Sequence, residues 1–271
     1  MNPWIETGAV ALLAVAGAAM GRWSSRLPAP YWTLGYLAPA LLVGLIGLTR
    51  FAPSLEFVPP FSWLTAGRVE FAVTGLATSM LFTTPLSRVP ARRTRVFVIG
   101  FMIFFVAYAA ITPFAIPAMI RNYLAGLKTN MTSDGVCLQS NKYNCGPAAA
   151  VTALRKLGFQ ADEGQIAIAA HTSSVGGTQP DSLCLALRGC YGTEGLECNY
   201  RHFQSISELN QDGFVIAVVK YGLLVDHYVT ILELNDKEVI VGDPLRGRVA
   251  YTHAEFKDRW RFSGVVVKRK T

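Results

Sequence analysis

Four long apolar stretches crowd into the first 120 residues of this 271-residue chain, and they restrict its possible folds more than any motif does. They run from about Thr7 to Trp23, Tyr31 to Leu48, Trp63 to Thr84 and Val96 to Met119. A hydrocarbon core of roughly 30 Å takes about 17 to 25 mostly apolar residues as helix, and a helix satisfies its own backbone in lipid. Each stretch meets that length, so residues 1–120 are expected to form a domain of about four transmembrane helices with the lipid bilayer as partner. The first stretch opens with Asn2, Pro3 and Glu6 and lacks the basic n-region of a cleaved signal peptide, so it is expected to be retained as a helix.

The net charge of +7 does not point to nucleic acid. Residues 1–120 hold eight Arg against three acidic residues, whereas the last 151 residues hold seventeen basic and fifteen acidic ones, with no basic stripe or aromatic platform. The surplus reads instead as membrane topology. Arg22 and Arg26 follow the first stretch, and Arg88, Arg92, Arg93 and Arg95 follow the third, while the loop between the second and third carries only Arg50 and Glu56. With four spans, both basic loops fall on one side, and the positive-inside rule puts everything after the fourth span outside the cytoplasm. Arg68 and Glu70 open the third stretch close to the expected outer interface, where snorkelling satisfies an Arg, so they are read as ordinary interfacial residues.

After Arg121 the sequence turns to mixed polar and apolar residues. Residues 121–136 are expected to form a linker or first strand, and 137–271 a single domain with one core. Val151, Leu154 and Leu157 recur at helical spacing before Gly158, which predicts a buried helix starting at or just after Cys145. Phe214 to Lys220, Tyr228 to Leu234, Glu238 to Val241, Arg248 to Thr252 and Ser263 to Val267 read as strands separated by turn residues. Helix first and strands afterwards predict an α+β domain.

Cys145 precedes Gly146, Pro147 and three alanines, which places its thiol at a helix N-terminus. The helix dipole and free N–H groups there favour the nucleophilic thiolate, and Gly146 admits a substrate carbonyl close to the backbone. Pro147 suits the first turn because it lacks an N–H. The tripeptide alone fits a buried structural cysteine equally well. His227, at the start of an apolar strand, is a candidate general base, and Asp243, at the end of the next strand, a candidate for orienting the imidazole. Asp226 neighbours His227 but points to the other face of a strand, so Asp243 is the better partner. Gln139, six residues before Cys145, is a candidate oxyanion donor.

These residues resemble the C39 bacteriocin-processing peptidases and their C39-like relatives, which have a papain-like fold. The resemblance covers about Gln139 to Val267. It is carried by Gln139 with Cys145-Gly146-Pro147-Ala148, Leu157-Gly158, Asp226-His227-Tyr228-Val229, Gly242-Asp243-Pro244 with Gly247, and the closing Phe256–Val267 segment with Trp260 and Gly264. It implies a thiol peptidase in a membrane protein of the bacterial cytoplasmic membrane. Cys145 is then the nucleophile, His227 the base, Asp243 the orienter and Gln139 the oxyanion donor. No cofactor or metal is implied; the substrate is a peptide or protein. The chain departs from the best-known members, which are fused to an ABC transporter and face the cytosol: it has no nucleotide-binding motif, so ATP is not an expected partner, and its topology is the opposite. Both departures argue against cleavage of a leader peptide for export. An acyltransferase with the same thioester chemistry, and a peptide-binding sensor or scaffold without catalysis, are the alternative readings.

All five cysteines lie in the second half: Cys137, Cys145, Cys184, Cys190 and Cys198. In an oxidising compartment four of them make two disulfides and leave Cys145 free, with three connectivities open. No Cys-x2-Cys pair is present, so structural zinc is not expected.

Overall fold

The structure, a computed structural model, describes residues 3–210, 212–222 and 225–270; Asn2 and the side chain of Arg50 lie outside the described residues. The chain divides into two units, residues 1–118 and 119–271.

The first unit is helical. Helix α1 (Pro3–Ser24) is followed by a 3-10 segment, Tyr31–Tyr36, that leads into α2 (Leu37–Phe51), then α3 (Phe61–Thr65), α4 (Val69–Thr83) and α5 (Arg92–Val106). Helix α5 passes through a π-helical turn, Ala107–Ile111, into α6 (Thr112–Met119). Pro113 has no N–H to return to the preceding turn, which accounts for the loosened ladder there. Among the described residues three helical segments are long and apolar enough to cross a membrane: Pro3–Ser24, Tyr31–Thr49 and Arg92–Met119. The third apolar stretch is divided instead. Gly67 takes a positive φ of 53° between α3 and α4, and the 15 residues of α4 reach only about 22 Å at the α-helical rise.

Helix α4 packs along α1 because α1 is nearly bare where they meet. A Cβ on Gly17 would collide with the backbone of Leu76, and one on Gly21 with Thr83 and the backbone of Met80. Small residues four apart allow such close helix contact without any hydrophobic driving force. Arg68 does not simply extend towards an interface. Its guanidinium pairs with Glu6 of α1, lies 4.7 Å from the Phe114 ring centre and donates to the Pro113 carbonyl. Replacing Gly17 with Val is therefore expected to destabilise the helical unit by about 1–3 kcal/mol, the usual cost of overpacking. Gly44→Val, where a side chain meets open space, is expected to be neutral. Equilibrium unfolding of the two variants in mixed micelles checks this.

The second unit begins with α7 (Arg121–Ala125) and the two-stranded pair β1 (Asn130–Met131) and β2 (Cys137–Leu138). Three helices follow: α8 (Cys145–Lys156), α9 (Glu163–Ala169) and α10 (Pro180–Tyr191). Residues 121–136 pack into this unit, with Leu124 fully buried. An antiparallel sheet completes it: β3 (Leu196–His202), β4 (Phe214–Gly222), β5 (Val225–Leu234), β6 (Glu238–Asp243), β7 (Gly247–Thr252) and β8 (Trp260–Arg269), with α11 (His253–Arg259) before the last strand. The strand order is β3-β8-β4-β5-β6-β7.

Alternation along β4 separates two cores. Ile216 and Val218 face α8, α9 and α10, whereas Val215, Ala217 and Val219 face Phe256 and Trp260. Helix α8 is buried from Cys145 through Leu154, which its run of small residues permits. Thr152 and Thr230 tie it down: the Thr152 hydroxyl accepts from the Cys137 N–H at 2.9 Å, and the Thr230 hydroxyl donates to the Ala149 carbonyl at 2.7 Å.

Candidate active site

Helix α8 begins at Cys145, so the thiol sits beside backbone N–H groups that no helical carbonyl reaches. Cys145 is 9% exposed. Gly146 faces Thr178 and Tyr228, and the Tyr228 hydroxyl donates to the Thr178 carbonyl at 2.8 Å. On β5, His227 is 6% exposed and lies opposite Val219 in the register with β4. Its Nε2 is 2.8 Å from Asp243 Oδ1, and the Cys145 thiol lies near enough to the ring to act on its basicity. With Nε2 held by the carboxylate, Nδ1 is the nitrogen left for sulfur. The exposed Tyr221 ring lies 5.6 Å from the imidazole and covers one side of it.

Asp243 is 1% exposed and ends β6 where the chain turns into β7. Its Oδ1 also accepts the Leu245 N–H at 2.8 Å, and its Oδ2 accepts from Arg246 Nε at 3.1 Å. Gly247, with φ of 79°, closes this turn in a conformation that suits glycine. Asp226 is turned elsewhere, to Arg261 Nε at 2.8 Å.

Burial alone would lower the basicity of His227. The hydrogen bond to Asp243, the nearby Cys145 sulfur and the charges of both outweigh it and raise the imidazolium to about 9. Burial pushes the Asp243 carboxyl up, but the His227 and Leu245 hydrogen bonds and the Arg246 charge hold it below its ordinary value. The two shifts agree in describing an imidazolium–carboxylate pair.

Cys145, His227 and Asp243 are thus in one connected set. Gln139 stands beside them rather than in it: among the described residues no hydrogen bond joins it to Cys145 or His227. Its main-chain N–H donates to the Pro244 carbonyl at 2.9 Å, tying its loop to the turn that carries Asp243. Its side-chain Nε2 donates to the Asn141 carbonyl at 2.6 Å, and its buried Oε1 has no partner among the described residues. An amide nitrogen carries two hydrogens, so one N–H remains uncommitted.

The sequence pattern of the peptidase C39 family matches residues 134–271, just over half of the chain. The chain belongs to the peptidase C39 family. Two archaeal relatives are similar over about half of it. An uncharacterized protein of Methanothermobacter marburgensis is 29% identical over 144 residues, 53% of this chain and 95% of its own. One of Methanothermobacter thermautotrophicus is 28% identical over 143 residues, 53% of this chain and 94% of its own. Among solved structures, the peptidase domain of Streptococcus ComA, a bifunctional ABC transporter of a quorum-sensing pathway, is 16% identical. It covers 49% of this chain and 96% of that one, with a TM-score of 0.44. A double-glycine-motif protease from an AMS/PCAT transporter, in complex with its leader peptide, is 17% identical. It covers 53% of this chain and 93% of that one, with a TM-score of 0.42.

In this C39 domain the segment between Gln139 and Cys145 is held by a residue that sequence reasoning missed. Glu163, fully buried at the start of α9, accepts the Ser140 N–H and Asn144 Nδ2 at 2.9 Å each, and the Ser140 hydroxyl at 2.6 Å. An acidic residue following Asp162, itself an N-cap that accepts the Gln165 N–H, reads in sequence as an ordinary helix-start charge. Glu163→Ala orphans the Ser140 N–H and Asn144 Nδ2, both in the segment before the thiol, whereas the Ser140 hydroxyl keeps the Lys128 carbonyl at 3.4 Å. The substitution is expected to lower stability by about 1–3 kcal/mol per donor left unpaired, whereas Glu194→Ala, at an exposed site, is expected to stay within about 0.5 kcal/mol. Chemical denaturation followed by tryptophan fluorescence compares the two.

Proposed function

We propose that this protein is a membrane-anchored cysteine peptidase whose catalytic domain lies outside the cytoplasm and hydrolyses peptide or protein substrates. The observation that carries the reading is the connected set of Cys145 at the start of α8, His227 and Asp243. The imidazolium beside the sulfur favours the thiolate, which adds to the scissile carbonyl carbon. The resulting oxyanion is met by backbone N–H groups at the start of α8 and by the uncommitted N–H of Gln139. The His227 imidazolium gives its proton to the leaving amine as the C–N bond breaks. The neutral ring then takes a proton from water as it adds to the thioester, and collapse releases the acid and the thiolate. Throughout, Asp243 stabilises the imidazolium without taking its proton. Nothing in these steps calls for nucleotide, metal or nucleic acid.

Full-length protein in detergent, treated with a peptide carrying a thiol-reactive electrophile, tests this. Labelling is expected on Cys145, absent in Cys145→Ala and slowed at least about 100-fold in His227→Ala. The imidazolium persists until pH rises through about 9, so labelling is expected to decline with an alkaline limb near that value. Asp243→Asn removes the negative charge that helps raise the ring, and the limb is expected to move down towards 6.5. Slow labelling that ignores His227 would leave a peptide-binding domain as the better account.

The side of the membrane turns on α4. If α4 does not cross, the loops holding Arg22 and Arg88 fall on opposite sides, the catalytic domain shares the side of Arg22, and the two basic loops argue for opposite placements of it. If it crosses, both basic loops are cytoplasmic and the domain is outside, as the positive-inside rule favours. Packing of α4 along α1 supports crossing. An alkaline phosphatase fused after Lys270 is expected to be active and a green fluorescent protein at the same point dark; the reverse pattern would place the domain in the cytoplasm.

A further inference from the structure

The structure sorts the five cysteines. Cys145 belongs to the proposed active site. Cys137 is fully buried on β2, where burial, reinforced by the charge of Glu163, pushes its thiol up to about 12. Cys190 is exposed on α10. Cys184 of α10 and Cys198 of β3 face each other with their sulfurs 2.7 Å apart and each residue 4% exposed. Among the described residues no other pair of cysteines is in contact, so of the two expected bridges the structure offers a place for one: Cys137 is buried on β2 and Cys190 exposed on α10.

We propose that Cys184 and Cys198 form the one disulfide of this protein, fastening edge strand β3 to helix α10, while Cys137, Cys145 and Cys190 remain thiols. The two sulfurs are already adjacent on two elements packed against each other, so no backbone rearrangement is needed to join them. Arg188 holds the same junction from α10, donating from Nε to the Cys198 carbonyl at 2.6 Å. Strand β3 is the outer strand of the sheet, paired along one edge with β8 and packed against α10, so a bond there acts where the sheet is least supported.

The chemistry has a route and a direction. An open cavity of about 680 Å³ reaches Cys198 but not Cys184 and is lined by Arg188, Arg201, Lys268 and Lys270 against Glu197 and Asp212, so an oxidant held there meets Cys184 when the junction of β3 and α10 opens locally. Its surplus of cations suits an anionic disulfide such as oxidised glutathione as the oxidant. The hydrogen bond from Cys198 holds the Cys184 thiol below its ordinary value despite burial, with Arg188 assisting, so Cys184 is the attacking thiolate. It displaces one thiolate from the oxidant to give a mixed disulfide. The Cys198 sulfur, giving up its proton, then displaces the second. Two electrons pass to the oxidant, which leaves as two thiols carrying the two protons.

The pairing rests on the geometry alone; its presence in the cell rests on the extracytoplasmic placement proposed above. The test separates them. Full-length protein in detergent is reduced, then equilibrated with oxidised glutathione, denatured in acid, alkylated and mapped by mass spectrometry. The expected product is a Cys184–Cys198 linked peptide two hydrogens lighter than its separate parts, with Cys137, Cys145 and Cys190 alkylated. Cys190→Ala should leave the link intact, and Cys184→Ala should abolish it and leave Cys198 unlinked. Alkylation of both residues in the wild type, or a link through Cys137 or Cys190, overturns the pairing. Cells quenched directly in acid should yield the same linked peptide. A pair that links in vitro but is found reduced in those cells upholds the pairing and overturns its oxidation in the cell, and the fusion reporters then tell whether the placement falls with it.

Discussion

Deep between β5 and α8, Thr230 donates its hydroxyl hydrogen to the carbonyl oxygen of Ala149 at 2.7 Å, and the proposed chemistry is registered from that contact. Cys145 lies four residues back along the helix, about 6 Å, and His227 three residues back along the strand, about 10 Å. Both therefore arrive at the same end of the layer. A longer side chain at Ala148, Ala149 or Ala150 would lift the helix off the sheet, and those three residues are fully buried. The small-residue run after Cys145 thus sets a distance as well as filling a core. The β6–β7 turn completes the arrangement, since the Gln139 N–H bonds the Pro244 carbonyl and joins the loop before the thiol to the turn that presents Asp243.

What the sequence showed depended on whether a local pattern existed. The strands from Phe214 onward are apolar runs separated by turn residues, and each appears in the sheet, β4, β5, β6 and β8 extended by a few residues and β7 by one. Strand β3 was invisible because it is an outer strand: Leu196 to His202 mixes Glu, Asn, Arg and His with only Leu196 and Cys198 buried. Helix α10 carries Pro180 at its start and Leu183 and Leu187 on its buried face, but Gly189 and Cys190 near its end weaken the helical signature. The third apolar stretch was read as one span because hydropathy does not register that Gly67 turns the chain between α3 and α4.

The candidate site divides in the same way. Cys145, His227 and Asp243 each stand at a helix start or strand end that makes them candidates, and it is the resemblance to the C39 peptidases that gives the three their roles together. Glu163 and Arg246 cannot be found so. Each is an ordinary charged residue whose meaning comes from a partner fixed by the fold, Asn144 and Ser140 for one and Asp243 for the other. Burying a carboxylate is costly unless donors surround it. Glu163 is therefore held in place by the loop it holds, and the two are specified together.

If α4 crosses the membrane, as proposed, its neighbours must make up for its shortness. A helix of about 22 Å is short for a hydrocarbon core of roughly 30 Å, but the penalty for mismatch falls on surfaces that meet lipid. Helix α4 packs against α1, α2 and α5. Its break at Gly67 is partly exposed, but Thr65 and Glu70 on either side of it are buried against protein, and irregular backbone at membrane depth is tolerated where protein covers it. There the Arg68 guanidinium is paired with Glu6 and reaches the Pro113 carbonyl, so its charge is compensated and a carbonyl of another helix gains a donor. The shortness and the small and polar residues of α4 are features that suit close packing against other helices.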